Sequence, residues 1–420
     1  MSLRTLQMDQ CGLNGEHVAL LMYAMTKTPG EARNLEFHVS SNRLEKGIGE
    51  IVKAIETNHA PSHLFLRMIE FNKEEHFRRL LQALRTNTTI HSLDISKASL
   101  PYDAEPDTCE AMRQVFAENT TLKELDISGE QAHLEVTRFG IGLNHALTGL
   151  KGNTTLKVLR IEYQNLGLEG ANTLSTVLEE NKGLTHIFCE HNDINLQGFT
   201  ILVNALAKNY SLLVLPFMQD DQNLSMKRMN NSMRDSRQVA NAARHENMVK
   251  GSVRRRLTTL GVTKPAKQEL TPQDVDDVVR VLNDRWEHEM SRLTAFLQRN
   301  NDIAAGICGP DGEGVLSEET MRPTTALSDK GLLEQVLSNT TPRVELGNPV
   351  DDHIDRIAEL DLNPTKEFGA KQENSKLLEG KAELDGGMLP VIPGIGKEKT
   401  FELGESDSGM FEMDLESSSS

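Results

Sequence analysis

The chain has 420 residues and a formal charge of −17, from 62 acidic and 45 basic side chains, and 38% of its residues are hydrophobic. That balance excludes DNA as a partner of the surface as a whole, and the apolar residues, concentrated in the first half, exclude one packed domain over the full length. Four cysteines, Cys11, Cys109, Cys189 and Cys308, show no short spacing, which fits a reducing compartment and excludes a disulfide framework.

The opening MSLRTLQMDQ runs directly into an apolar pattern, so no secretory leader is expected. No apolar run approaches the length of a membrane span, so no transmembrane segment is expected either. A cytoplasmic location follows from these features. In the first unit Leu3, Leu6 and Met8 read as a strand, and Val18, Leu21, Met22 and Met25 as a helix face at three- and four-residue spacing. The pattern then repeats. NTTLKELDIS (119–128) is written again as NTTLKVLRIE (153–162), and more loosely as NKGLTHIFCE (181–190).

With Leu125 as the mark, the equivalent residues are Leu6, Leu35, Leu64, Leu93, Leu159, Ile187 and Leu215, roughly 27 to 34 residues apart. About eight strand–turn–helix units therefore fill residues 1–220. The asparagines ahead of most strands (Asn58, Asn87, Asn119, Asn153, Asn181, Asn209) are expected to close the preceding helix in the left-handed conformation. The fourth and fifth units carry insertions at 97–107 and 129–137, and the third places Ile69 and Phe71 in its turn. Pro216 interrupts the last strand, which suits a terminal edge.

A unit of this size cannot bury an apolar face alone, so stacking is required: an α/β solenoid with one curved parallel sheet and its helices outside. LRTLQMDQCGLN (3–14), with Cys11 in the turn, resembles the LxxLxLxxCxLx pattern of ribonuclease-inhibitor-like leucine-rich repeats. Tropomodulin- and CARMIL-type proteins and bacterial-effector repeats are more loosely similar. The resemblance covers roughly the first half of the chain and implies a horseshoe that binds protein through its concave strand face. The residues expected to recognise a partner on that face are Glu36, Phe65, Arg67, Asp94, Asp126, Arg160, Phe188 and Glu190, with Phe65 and Phe188 as exposed aromatics. The acids among them call for a partner with basic groups.

Residues 223–267 are basic, with Lys227, Arg228, Arg234, Arg237, Arg244, Lys250, Arg254, Arg255, Arg256, Lys264 and Lys267 against only Asp235 and Glu246. Two readings stay open there, a solvated helical linker and a docking segment for an acidic protein, anionic lipid or RNA. A helix is expected over 271–304, started by Thr271 and Pro272, with Val275, Val278, Val279, Leu282, Trp286, Met290, Leu293 and Leu297 on one stripe. That stripe buries within the chain or pairs as a coiled coil. Residues 305–420 are acidic and expected to be largely disordered, with a short amphipathic island at 352–360.

Enzyme motifs are incomplete, so no catalysis, cofactor or metal is expected. His288-Glu289 lacks the second histidine of a zinc-protease helix and reads as a charged helix face, and Gly394-Ile395-Gly396-Lys397 lacks a phosphate-loop spacing. Cys189 to Asp193 is rich in ligand-type groups, yet the repeat assigns Cys189 to the core and Asn192 to the turn. The functional expectation is therefore an intracellular protein–protein interaction scaffold. The alternative is a GTPase-activating regulator resembling Ran GTPase-activating proteins, although those carry an acidic block where this chain is basic. The ending GESDSGMFEMDLESSSS (404–420) also resembles the tails of effectors that bacteria inject into host cells, which would place the protein in a host cytoplasm.

Overall fold

The computed structural model describes residues 3–26, 28–31, 33–130, 139, 142–231, 233, 272–309, 316–328 and 331. All of them lie in one unit, Met1–Pro364. The basic stretch beyond 233, the tail beyond 331 with its island at 352–360, and most of the insertion at 129–137 lie outside the described residues.

Strands and helices alternate, and seven parallel strands form one sheet in sequence order. They are β1 (Thr5–Gln7), β2 (Glu36–His38), β3 (His63–Phe65), β4 (Ser92–Asp94), β5 (Glu124–Asp126), β6 (Val158–Arg160) and β7 (His186–Phe188). The intervening helices are α1 (Gly15–Met25), α2 (Ile48–Glu56), α3 (Glu74–Thr86), α4 (Pro106–Glu118), α5 (Gly142–Leu147), α6 (Gly167–Glu180) and α7 (Leu196–Ala205). The eighth unit adds a single bridge, His186 to Val214, before Pro216. Local chemistry sets the helix starts. Asn14 accepts from His17 N to cap α1, Pro106 opens α4, and Glu74 and Glu75 meet the positive end of α3.

The central strand residues, Leu64, Leu93, Leu125, Leu159 and Ile187, are buried with the inner faces of the helices in one continuous core. Each such side chain contributes about 1.5–3 kcal/mol by leaving water. The register corrects one expectation: Leu6 and Leu64 pair with Phe37, so the second unit is centred two residues beyond Leu35. Both residues are fully buried, and alternate residues of a strand share a face.

The asparagines also act differently from expectation. Only Asn58 is left-handed (φ 56°), whereas Asn87, Asn119, Asn153 and Asn181 are extended. Their buried amides join neighbouring units instead. Asn153 Nδ2 donates to Phe116 O (2.7 Å) while its Oδ1 accepts from the N–H groups of Thr155 and Leu156 (both 2.8 Å). Asn119 donates to Leu84 O (2.6 Å), Asn87 to Ile55 O (2.9 Å) and Asn209 to Leu178 O (2.8 Å). Carbonyls near the ends of α2, α3, α4 and α6 thereby accept a hydrogen bond from the next unit.

Two further helices close the stack. A helical segment at 219–231, here α8, begins beside β7, and its Asp221 accepts from His191 N (2.9 Å), Asp193 N (2.6 Å) and Ile194 N (3.2 Å). Burial pushes the Asp221 carboxyl up to about 6 despite those three donors. The long helix α9 (Pro272–Ala304) packs on α7. Its apolar stripe is therefore occupied within the chain: Val278, Leu282, Trp286, Leu293 and Phe296 are buried, and Trp286 stacks on Phe199 with ring centres 4.8 Å apart.

The polar residues of α9 extend the asparagine pattern. Asn300 donates to Leu212 O (2.8 Å), and Arg299 donates to Leu206 O (2.8 Å) and Asn209 O (2.6 Å). The charged helix face read at 288–292 turns inward at two of its residues. Glu289 and Arg292 are buried, paired at 2.7 Å, and Arg292 also reaches Asn204 Oδ1 (2.9 Å) and, beside the short α10 (Glu318–Met321), Arg322 O (3.0 Å).

Candidate protein-binding face

The residues flanking each buried strand centre lie on the opposite side of the sheet from the core, in transverse rows fixed by strand register. One row runs Gln7, His38, Phe65, Asp94, Asp126, Arg160 and Phe188. Five of the eight expected recognition residues, Phe65, Asp94, Asp126, Arg160 and Phe188, stand side by side in it. Arg67 and Glu190 follow two residues later on the same face. Glu36 belongs to the other flank, in line with His63, because the second unit is centred on Phe37; His38 takes the place assigned to it.

Contacts within the row give it a definite chemistry. Phe65 is stacked on His38 (ring centres 4.0 Å, 3° apart), and Arg160 lies 3.8 Å over the Phe188 ring. Both phenylalanines are therefore half-covered by a neighbour, whereas the sequence suggested exposed aromatics. Between these pairs lie the acids. Asp94 is paired with Arg67 at 3.4 Å, and Arg67 also donates to Ser96 Oγ (3.1 Å). Asp94 and Asp126 each turn one oxygen back to the backbone two residues on, Ser96 N and Ser128 N (both 2.9 Å).

Burial raises the Asp126 carboxyl above its usual range, and the nearby Asp94 charge pushes the same way. Glu162 is raised by burial and by the Asp126 charge, with Glu190 adding to it. A run of carboxylates therefore crosses the sheet with its charges crowding one another, and a cation placed among them relieves both the repulsion and the partial desolvation. Farther along, Tyr163 stacks on His191 (4.3 Å), which pairs with Asp220 at 3.4 Å.

The opposite flank is different. His63, His91 and Lys123 line a cavity of about 300 Å³ together with Ser62, Ser92, Asn34 and Glu124. Burial, and then the Lys123 and His63 charges, lower the His91 pKa.

A feature absent from the sequence reading lies just beyond the face. Gln10, Ser41, Met68, Lys97, Tyr163 and His191 all have left-handed backbone, with φ between 55 and 59°. None is a glycine, and the N–H groups of Gln10, Met68 and Lys97 bond to the next unit, at Ser40 O, Ser96 O and Ser128 O.

Among the described residues no helix is long and apolar enough to cross a membrane, and no group of histidine, cysteine or carboxylate side chains is placed to hold a metal. Cys189 and Asn192 are fully buried, as core and turn respectively. No protein-family model matches the chain.

Proposed function

We propose that the chain is a leucine-rich-repeat solenoid of the ribonuclease-inhibitor-like kind, and that it is an intracellular protein–protein interaction scaffold. The partner binds the open face of the sheet through a basic segment. The single observation that carries this reading is the row Phe65, Asp94, Asp126, Arg160, Phe188: crowded carboxylates flanked at one end by Phe65 stacked on His38 and at the other by Phe188 under Arg160. Large flat anchors beside acids that Arg67 and Arg160 partly counter are the composition of an interface hot spot.

The test is capture of cytosolic proteins on the immobilised full chain, beside the same chain carrying Phe65→Ala, Asp126→Lys and Phe188→Ala, with folding checked by circular dichroism. A basic partner retained by the parent, lost from the triple variant and released by salt supports the proposal. The same proteins on both surfaces would move recognition off this face.

A further inference from the structure

The cavity of about 300 Å³ on the flank away from the acidic row is built by four successive units, at the starts of β3, β4 and β5 and just ahead of β2. Strand register assembles it: His63 pairs with Ser92 and Ser92 with Glu124, while His91 and Lys123 each stand one residue ahead. Asn34 completes the lining from the second unit.

Donors outnumber acceptors in it. Asn34 and Lys123 are exposed and His63 and His91 half-buried, and none of these four side chains makes a hydrogen bond or ion pair among the described residues. The buried Ser62 and Ser92 are already engaged, Ser62 Oγ accepting from Leu35 N (3.3 Å) and Ser92 Oγ donating to Glu124 Oε2 (3.3 Å). Glu124 is the one carboxylate in the lining. Glu36, in line with His63, accepts from Thr5 Oγ1 (3.1 Å) and lies 3.9 Å from His38. These acids leave the cavity positive at His91, whose pKa the Lys123 and His63 charges lower beyond the effect of burial.

Four free donors call for acceptor oxygens, and crowded positive charge calls for an anion. A carboxylate brings two oxygens. A phosphate monoester brings three around one centre and a charge of about −1.5 to −2 at pH 7, so it can engage a lysine and two imidazoles together. The volume stands at the lower end of the roughly 300–1,000 Å³ of ligand sites, which leaves room for the phosphate and the group that carries it. We propose that this cavity binds the phosphate group of a monoester, with Lys123 as the point charge and His63, His91 and Asn34 as N–H donors. A phosphorylated side chain and a soluble phosphate ester both carry that group. The site is separate from the acidic row, so it stands without the partner proposed for that row.

The experiment follows the imidazole proton resonances of His63 and His91 in the full chain, assigned with His63→Gln and His91→Gln. The probes are inorganic phosphate, acetate, glucose 6-phosphate, and a short basic peptide with and without one phosphoserine. Inorganic phosphate is expected to shift both resonances saturably, with acetate about tenfold weaker. Lys123→Gln should weaken phosphate binding about tenfold, the loss of one charge-assisted hydrogen bond. Glu124→Gln removes the opposing charge while keeping an acceptor for Ser92, and should tighten binding several-fold, a gain that misfolding cannot produce. No saturable shift, equal binding of acetate, or phosphate affinity unchanged in both variants would each overturn the assignment. Tighter binding of the phosphopeptide than of glucose 6-phosphate, with none of the unphosphorylated peptide, assigns the group to a protein; the reverse order assigns it to a soluble ester.

Discussion

Replacing Asn153 with alanine tests the asparagine pattern at its middle. The substitution strands the Phe116 carbonyl and the N–H groups of Thr155 and Leu156, bonded now at 2.7, 2.8 and 2.8 Å. A buried unsatisfied group costs about 1–3 kcal/mol, and relaxation around Thr155, whose N–H is less deeply buried, recovers part of it, so the net loss is roughly 2–4 kcal/mol. Asn153→Asp retains both acceptors, yet it removes the donor and sets a carboxylate against Phe116 O, so its expected cost is similar. Urea unfolding followed by far-ultraviolet dichroism reads both: the midpoint falls while the slope stays constant. A loss below about 0.5 kcal/mol for both variants would refute the account, which rests on the three hydrogen bonds of the Asn153 amide.

Asp221 should give the protein an acid-side stability gain. Its carboxyl sits at about 6 in the fold against 3.8 when unperturbed, so the folded state binds the proton more tightly and stability falls as pH rises from about 4 to 6. The change is on the order of 2–3 kcal/mol; melting temperatures of parent and Asp221→Asn across that window should diverge, and parallel profiles would contradict it. Trp286, the chain's single tryptophan and fully buried, should emit as a buried indole until α9 undocks. Its replacement by alanine should cost about 3–5 kcal/mol in urea melts, and a cost under about 1 kcal/mol would argue against a tightly docked α9.

Much of the architecture was legible because its cause is local. Leu125, Leu159 and Ile187 advertise the period, since each must be apolar for a three-residue strand to hold to the core. The second unit slipped by two residues because Leu35 and Phe37 are both apolar and both inward; only hydrogen bonding to the next strand separates them. The asparagines were read as helix ends, which is where they stand, but their amide nitrogens bond to the preceding unit, and no local rule points there.

The candidate face was legible as a list and illegible as a set of pairs. That Asp94, Asp126 and Arg160 are neighbours follows from the repeat. That Arg160 covers Phe188, or that Gln164 turns back to Ile127, depends on side-chain choices made across strands. Arg299 and Asn300 were invisible for a related reason: polar residues late in a helix look solvated until the carbonyls they satisfy are known.

Those two residues also set an order of events in synthesis. Each earlier strand–helix unit can dock on its predecessor soon after it emerges, because its asparagine bonds to carbonyls already made. The carbonyls of Leu206, Asn209 and Leu212 must wait until Arg299 and Asn300 are translated, 88 to 93 residues later. At about 5–20 residues per second that interval is roughly 5–20 s. Throughout it α8 can already cover the turn after β7, while these three carbonyls stay without their Arg299 and Asn300 donors.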